Sequence, residues 1–492
     1  MKKRMIALLL LAGLLLAGCG GPTTETTAET GTETAAAVEE TEVSLDPMIE
    51  AIDCGGRTYT ILSRLSDGSN YCYPYHEYLA EEATGEAIND AIFQRNTFLE
   101  EKYNLVFSMP EEADMEGIVK KTVTAGDAIY DLINIPPQQG YNLSVAGMLR
   151  NMNNIPHIDI TKPYWRASVM ENTSTGGRNY FYVGDLNLAS LNGVGVVFFN
   201  KELAQSMQIT DLYDTVRDGK WTFDTFTEYC RGVTSDLDGD GVLNGKDKFG
   251  LTVNGFVWQP FFAGTGSRII DKDEGDIPVL HWDTEENINA ISRIVNFVND
   301  RESVILVNQF PELQTAGGWG QASIDMFSEN RALFWIEIIY GVHQLRTMDK
   351  DFGILPMPKY DENQDQYASY IHAGWTSGIS MPITNTEDDL AGRLIEDLAY
   401  QSSITVRPAY YDVTLKGKVS RDNDSGDMLD IIYSNINLDL VTLMASRLPV
   451  DNNMREFLIK NNTSFTSTIA SLKQKCETIL QQDTETLIAL EQ

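Results

Sequence analysis

Apolar residues along this 492-residue chain fall into short runs and periodic sets that alternate with one another. Thr58 to Ser63 reads as a strand. Ile88, Ile92, Leu99 and Tyr103 then recur at the helical period, with Asn89 as the expected cap. Leu132-Ile133-Asn134-Ile135 follows a turn at Gly126-Asp127 and stops at Pro136-Pro137, which predicts a second strand. Gly193 to Phe199 is almost wholly apolar, with β-branched and aromatic members, the pattern of a strand buried on both faces. Phe249 to Val253 and Phe352 to Leu355 predict further short strands. Helical faces recur at Leu390, Leu394 and Leu398, and again at Phe465, Ile469, Leu472, Cys476 and Ile479. Strands alternating with helices, without an internal repeat, predict an α/β protein built on largely parallel sheet. The length is enough for two such sheets rather than one.

The first residues follow a different logic. Lys2, Lys3 and Arg4 precede an apolar run from Met5 to Ala17, and Leu16-Ala17-Gly18-Cys19 closes it. This is the layout of a secretory signal over residues 1–18, and it resembles the bacterial lipoprotein signal, in which the Cys becomes the acylated first residue. Cys19 is therefore the expected lipid attachment point. The run is about 13 residues, short of the roughly 20 that span a bilayer, so an anchor is expected rather than a membrane helix. Residues 19–50 are rich in Thr, Glu, Ala and Gly, carry no Lys or Arg, and read as a flexible acidic linker. Localisation on the extracytoplasmic face of the cell membrane follows.

The formal net charge is −34, from 71 acidic against 37 basic residues. Such a chain repels phosphate backbones, and nucleic acid is excluded as a partner. Of the remaining cysteines, Cys54 and Cys72 bracket the first strand and could pair outside the cell, while Cys230 and Cys476 sit in helical patterns and read as buried thiols.

Five stretches, in order, carry a family resemblance. They are Ile88-Asn89-Asp90-Ala91-Ile92-Phe93-Gln94-Arg95-Asn96; Thr124 to Leu132, reading TAGDAIYDL; Val196-Val197-Phe198-Phe199-Asn200-Lys201-Glu202-Leu203; Gly219-Lys220-Trp221-Thr222-Phe223-Asp224; and Asp351-Phe352-Gly353-Ile354-Leu355-Pro356-Met357-Pro358. In these the chain resembles the extracellular solute-binding proteins of family 1, the carbohydrate-binding subunits of ATP-driven (ABC) importers. The resemblance implies an α/β, two-lobe, type II periplasmic-binding-protein-like fold with the ligand in the cleft between lobes. Residues 57–187 plus 361–414 would form the N-terminal lobe and 193–358 plus 417–492 the C-terminal lobe. Hinges would lie near Leu186 to Asn192, Met357 to Gln364 and Val413 to Lys418. It also implies a monomer, a carbohydrate ligand and ABC permease subunits as partners.

One motif stands apart from that resemblance. From Asp236, carboxylates fall at positions 1, 3, 5 and 12 (Asp236, Asp238, Asp240, Asp247), Gly241 at 6, the carbonyl of Val242 at 7 and Asn244 at 9. Alternating oxygen donors around a glycine turn suit calcium, which takes six to eight oxygens. Position 12 is Asp rather than the usual Glu, and Lys248 to Val253 continues as a strand. A structural ion, not a helix–loop–helix sensor, is the expectation.

Sugars present apolar C–H faces and a rim of hydroxyls, so their sites pair aromatic platforms with a few aimed polar groups. Seven tryptophans and 21 tyrosines are available. The candidates are Trp335 with Glu337; Trp375, beside the return into the first lobe; Trp258, after a strand; Tyr71 and Tyr73, after the first strand; and Asp185, before the first crossing. Trp165 and Trp221 are expected to be structural. Catalytic motifs fail: His76-Glu77-Tyr78-Leu79-Ala80 lacks the second His of a zinc protease, Gly245-Lys246-Asp247 lacks a phosphate-binding loop, and no Gly-x-Ser-x-Gly occurs. No enzyme activity is expected. Two readings stand beside the transport one: a surface glycoside hydrolase, which needs only two carboxylates, and a calcium-stabilised glycan-binding adhesin or sensor.

Overall fold

The computed structural model describes residues 46–66, 74–314, 318–411 and 424–490. Cys19, the linker before residue 46, Tyr71, Cys72, Tyr73 and the expected hinge at Val413 to Lys418 lie outside the described residues. Cys54 carries a free thiol, as do the buried Cys230 and Cys476.

Ten of the described strands form two five-stranded sheets, and the other four form two pairs. The first holds Gly378–Ser380, Leu132–Ile135, Arg57–Arg64 and Leu105–Ser108 in that order, with Glu111–Glu112 also paired to Arg57–Arg64. The second holds Phe352–Leu355, Gly195–Asn200, Ala332–Ile338, Phe249–Val253 and Val304–Leu306. The first sheet is largely parallel, as expected, with one antiparallel edge strand, and the second is evenly mixed. Gly378–Ser380 runs antiparallel to its neighbour, as Gly195–Asn200 does to both of its own. The reason lies in the chain path. Gly195–Asn200 is the first strand after the chain leaves the first sheet, and Gly378–Ser380 is the first after it returns. Neither is preceded by the helical crossover that would make it parallel.

Apolar patterning explains the burial. All six residues of Gly195–Asn200 are covered, as are all five of Phe249–Val253 and all four of Leu132–Ile135. The Leu390, Leu394 and Leu398 face is buried within the helix Asp388–Ile404. The helix Ala87–Tyr103 begins one turn earlier than its expected cap. Glu86 is the cap and accepts the amide of Asn89 at 2.8 Å, so Asn89 is the residue capped. Trp221 and Trp165 are structural, their indole N–H groups held by the carbonyl of Pro356 (2.9 Å) and by Glu396 (3.0 Å).

Three chain segments lie side by side where the two lobes join. Val194 bridges Ile371, and Ser369–Ile371 pairs in parallel with Ile436–Leu438. The stretch near Met357 to Gln364, expected to hold a hinge, is pinned to the second lobe. Phe223 donates to the carbonyl of Lys359 at 2.7 Å, and Lys359 to that of Trp221 at 3.1 Å. The last helix, Phe465–Ala489, packs on Pro137–Val145 beside the first sheet and on Pro278–Leu280 of the second lobe.

Candidate functional site

Alternation along Ala332–Ile338 puts Leu333, Trp335 and Glu337 on one face of the strand. Trp335 sits mid-strand with none of its surface exposed, stacked on Phe198 (centroids 5.0 Å apart, 26° between planes) and tilted against Phe327 at 5.8 Å. It is a core residue and offers no ring to a ligand, which corrects the expectation from sequence. Glu337, two residues on, lies where that cover ends. It lines a cavity of about 390 Å³ together with Asn254, Phe256, Asn308, Gln344 and Arg455. A smaller space of about 40 Å³ shares Asn254, Phe256 and Glu337 and is closed by Tyr370 and Trp375.

Each wall is set by local structure. After the strand Phe249–Val253, Asn254 caps a short 3-10 turn, its side-chain oxygen accepting the amide of Phe256 at 2.9 Å. Asn308 accepts the amide of Gly255 at 2.7 Å. The turn lifts Phe256 into the cavity, 39% exposed. The helix Trp258–Gly264 that follows rotates Trp258 inward, 1% exposed, against Phe262. The sequence reading therefore found the right segment and the wrong ring.

Trp375 does belong to the site. Its indole stacks on His372 (4.5 Å, 23°) and meets the Phe256 ring edge-on at 5.5 Å. Burial pushes the His372 imidazole down to about 3, so the group behind Trp375 is neutral, and its Nδ1 accepts the amide of Gly374 at 2.9 Å. The Arg455 guanidinium lies over the opposite partner, 5.1 Å from the Phe256 centroid.

Burial raises the Glu337 carboxyl to about 7, opposed only by the Ile338 amide at 3.0 Å. Near neutral pH it both donates and accepts. Aromatic faces, one such carboxyl, a guanidinium and side-chain amides suit a polyhydroxylated ligand with apolar faces.

Asp185 is not part of this cavity. Fully buried, it is gripped by Arg166 at 2.6 Å and Arg407 at 3.2 Å, an ion cluster tying neighbouring segments of the first lobe. A different contact joins the lobes: the Tyr75 hydroxyl lies 2.6 Å from His343 Nε2, and Tyr340 stacks on that imidazole at 5.0 Å. Burial lowers His343 to about 4, so the ring is neutral at ordinary pH.

The acidic loop closes on itself. Backbone pairing of Ser235 with Lys248 seals its base, and Gly239 and Gly241 adopt φ of 76° and 79°, open to glycine without strain. Asp236 accepts the amides of Gly239 (2.7 Å) and Gly241 (2.8 Å), which hold its carboxyl below the usual range. Carboxylate oxygens of Asp236, Asp238 and Asp240 all lie within 4.8 Å of one another. Lys246 stands 3.5 Å from Asp238. Asp247 is buried, its two oxygens accepting the amides of Leu237 and Asn244 at 2.9 Å each.

No protein-family profile and no curated protein matches the sequence. Solved structures do match the fold. A sugar transporter from Rhizobium etli in an open conformation is 14% identical, with a TM-score of 0.55 over 88% of this chain and 100% of that one. The GacH receptor of Streptomyces glaucescens, solved unliganded and with acarbose, is 13% identical (TM-score 0.53; 87% and 99% covered). UgpB from Mycobacterium tuberculosis, in complex with glycerophosphocholine, is 12% identical (TM-score 0.52; 81% and 97%). The chain has the two-lobed mixed α/β fold of these binding proteins.

Proposed function

We propose that this chain is the lipid-anchored, extracytoplasmic substrate-binding subunit of an ABC importer, and that its ligand is a carbohydrate, an oligosaccharide in particular. The observation that carries the reading is the cavity in which Trp375 and Phe256 meet Glu337 and Arg455. An open form admits the sugar, whose apolar faces stack on the two rings while its hydroxyls exchange hydrogen bonds with the carboxyl, amides and guanidinium. Those contacts favour closure about the joint of Val194, Ile371 and Leu438, and the closed monomer docks on the permease. GacH, with its bound acarbose, supports the choice of ligand class.

Hydrolysis of a glycoside works through two carboxylates. Glu337 is the one acidic residue that the described lining of both spaces contains, which favours binding over cleavage. Isothermal titration calorimetry with maltotetraose, acarbose and glycerophosphocholine tests the reading. Saturable saccharide binding is expected, weakened about tenfold or more by Trp375→Ala. Release of reducing ends, or binding of glycerophosphocholine alone, would retire it.

We also propose that Asp236, Asp238 and Asp240 hold one structural calcium ion with the Val242 carbonyl and Asn244. Three converging carboxylates fit a hard cation. Asp247 lies outside that converging group and is buried, so it supports the loop through the amides of Leu237 and Asn244 rather than meeting the ion.

A further inference from the structure

A second cavity, of about 110 Å³, shares Tyr370 with the wall of the cleft. On the scale where a hole of about 150 Å³ takes a benzene ring, it has room for about four to five non-hydrogen atoms. Its walls come from both lobes and from the joint: Asn172, Arg268, Tyr370, Asn437 and Asp439.

Arg268 and Asp439 carry opposite charges into this space, yet they are not an ion pair. Each is held back by its own partners. The Arg268 guanidinium donates to Asn172 at 2.6 Å, and Asn172 in turn donates to Asn437 at 2.5 Å. The nearest carboxylate to Arg268 is Asp271, at 3.6 Å. One Asp439 oxygen accepts the Val441 amide at 2.6 Å, and Asp439 feels the Arg268 charge without an ion-pair contact to it. Two groups of opposite charge lining one small space form a two-point clamp whose ordering cost is already met.

We infer that this cavity binds a small zwitterion of amino-acid size, its ammonium against Asp439 and its carboxylate against Arg268. Glycine, with five heavy atoms, is the amino acid closest in size to the room available, and the amides of Asn172 and Asn437 add polar contacts along the wall. The site is separate from the sugar cleft and stands or falls independently of it.

Calorimetric titration of the full chain tests this, with glycine and alanine as probes. Sodium acetate and methylammonium chloride each supply one half of the charge pair, and glycerol is the neutral control. Both amino acids should bind saturably and the three controls at least tenfold more weakly. Asp439→Asn, which keeps the cap on Val441, and Arg268→Gln should each weaken glycine binding about tenfold. Trp375→Ala, which alters the other cavity, should leave it unchanged. Absence of glycine and alanine binding, acetate or methylammonium binding as tightly as glycine, or loss of glycine binding in Trp375→Ala would each overturn the inference. The wild-type arms decide the matter even if a variant fails to fold.

Discussion

Trp335 and Glu337 share one strand face and meet opposite fates, because the cover supplied by Phe198 and Phe327 ends between them. Alternation made their common face legible in the sequence. Where a covering ring comes from is a property of distant segments, and no local pattern records it. Trp335→Ala should therefore lower stability by about 3–5 kcal/mol through the cavity it leaves, read as a lower thermal midpoint, with sugar affinity per folded molecule unchanged. A selective loss of affinity would return Trp335 to the cleft. Glu337 predicts a pH effect. Its carboxyl titrates near 7 when folded, against an ordinary 4.5. Below the ordinary value both states are protonated and the group contributes nothing. Between the two values only the unfolded chain ionises, so stability falls as pH rises. Glu337→Gln should match wild type near pH 4 and exceed it by about 1–2 kcal/mol at pH 8. Urea denaturation at the two pH values checks this, and a pH-independent difference would refute it.

Among elements, strands with unbroken apolar runs were read almost to the residue. Leu132–Ile135, Phe249–Val253 and Phe352–Leu355 stand where the pattern put them. The parallel run of the first sheet was legible, but the direction of Gly195–Asn200 and Gly378–Ser380 was not, since each follows a crossing from one sheet to the other. The cavity was half legible. Trp375 and Glu337 came from the family resemblance of their segments, but Gln344, Asn308 and Arg455 arrive from three other elements and nothing near them in sequence marks them. In the acidic loop, spacing announced a ring of oxygens but not that Asp247 turns inward to the amides of Leu237 and Asn244. If calcium holds this loop, adding a chelator should lower the thermal midpoint by a few degrees, as expected for loss of a ligand present well above its dissociation constant. Asp238→Asn should be insensitive to the chelator. Equal midpoints with calcium and with chelator would remove the ion from the account.

For the molecule as a whole, the strong negative charge argues against nucleic acid as a partner but selects none, and the two-lobe plan came from the resemblance rather than from periodicity. Among the described residues no helix is long and apolar enough to cross a membrane. The proposed tether therefore rests on Cys19, and Cys19→Ser should shift the protein from the membrane fraction to the medium. Retention in the membrane fraction would show another means of attachment. The stacking of Trp375 between His372 and Phe256 has an optical consequence. Trp165, Trp221, Trp258, Trp282 and Trp335 are at most 4% exposed, whereas Trp375 is partly open to the cavity. Among these six indoles Trp375 should dominate the long-wavelength edge of the emission, so a guest entering the cavity would announce itself by a blue shift that Trp375→Phe abolishes, without any attached dye.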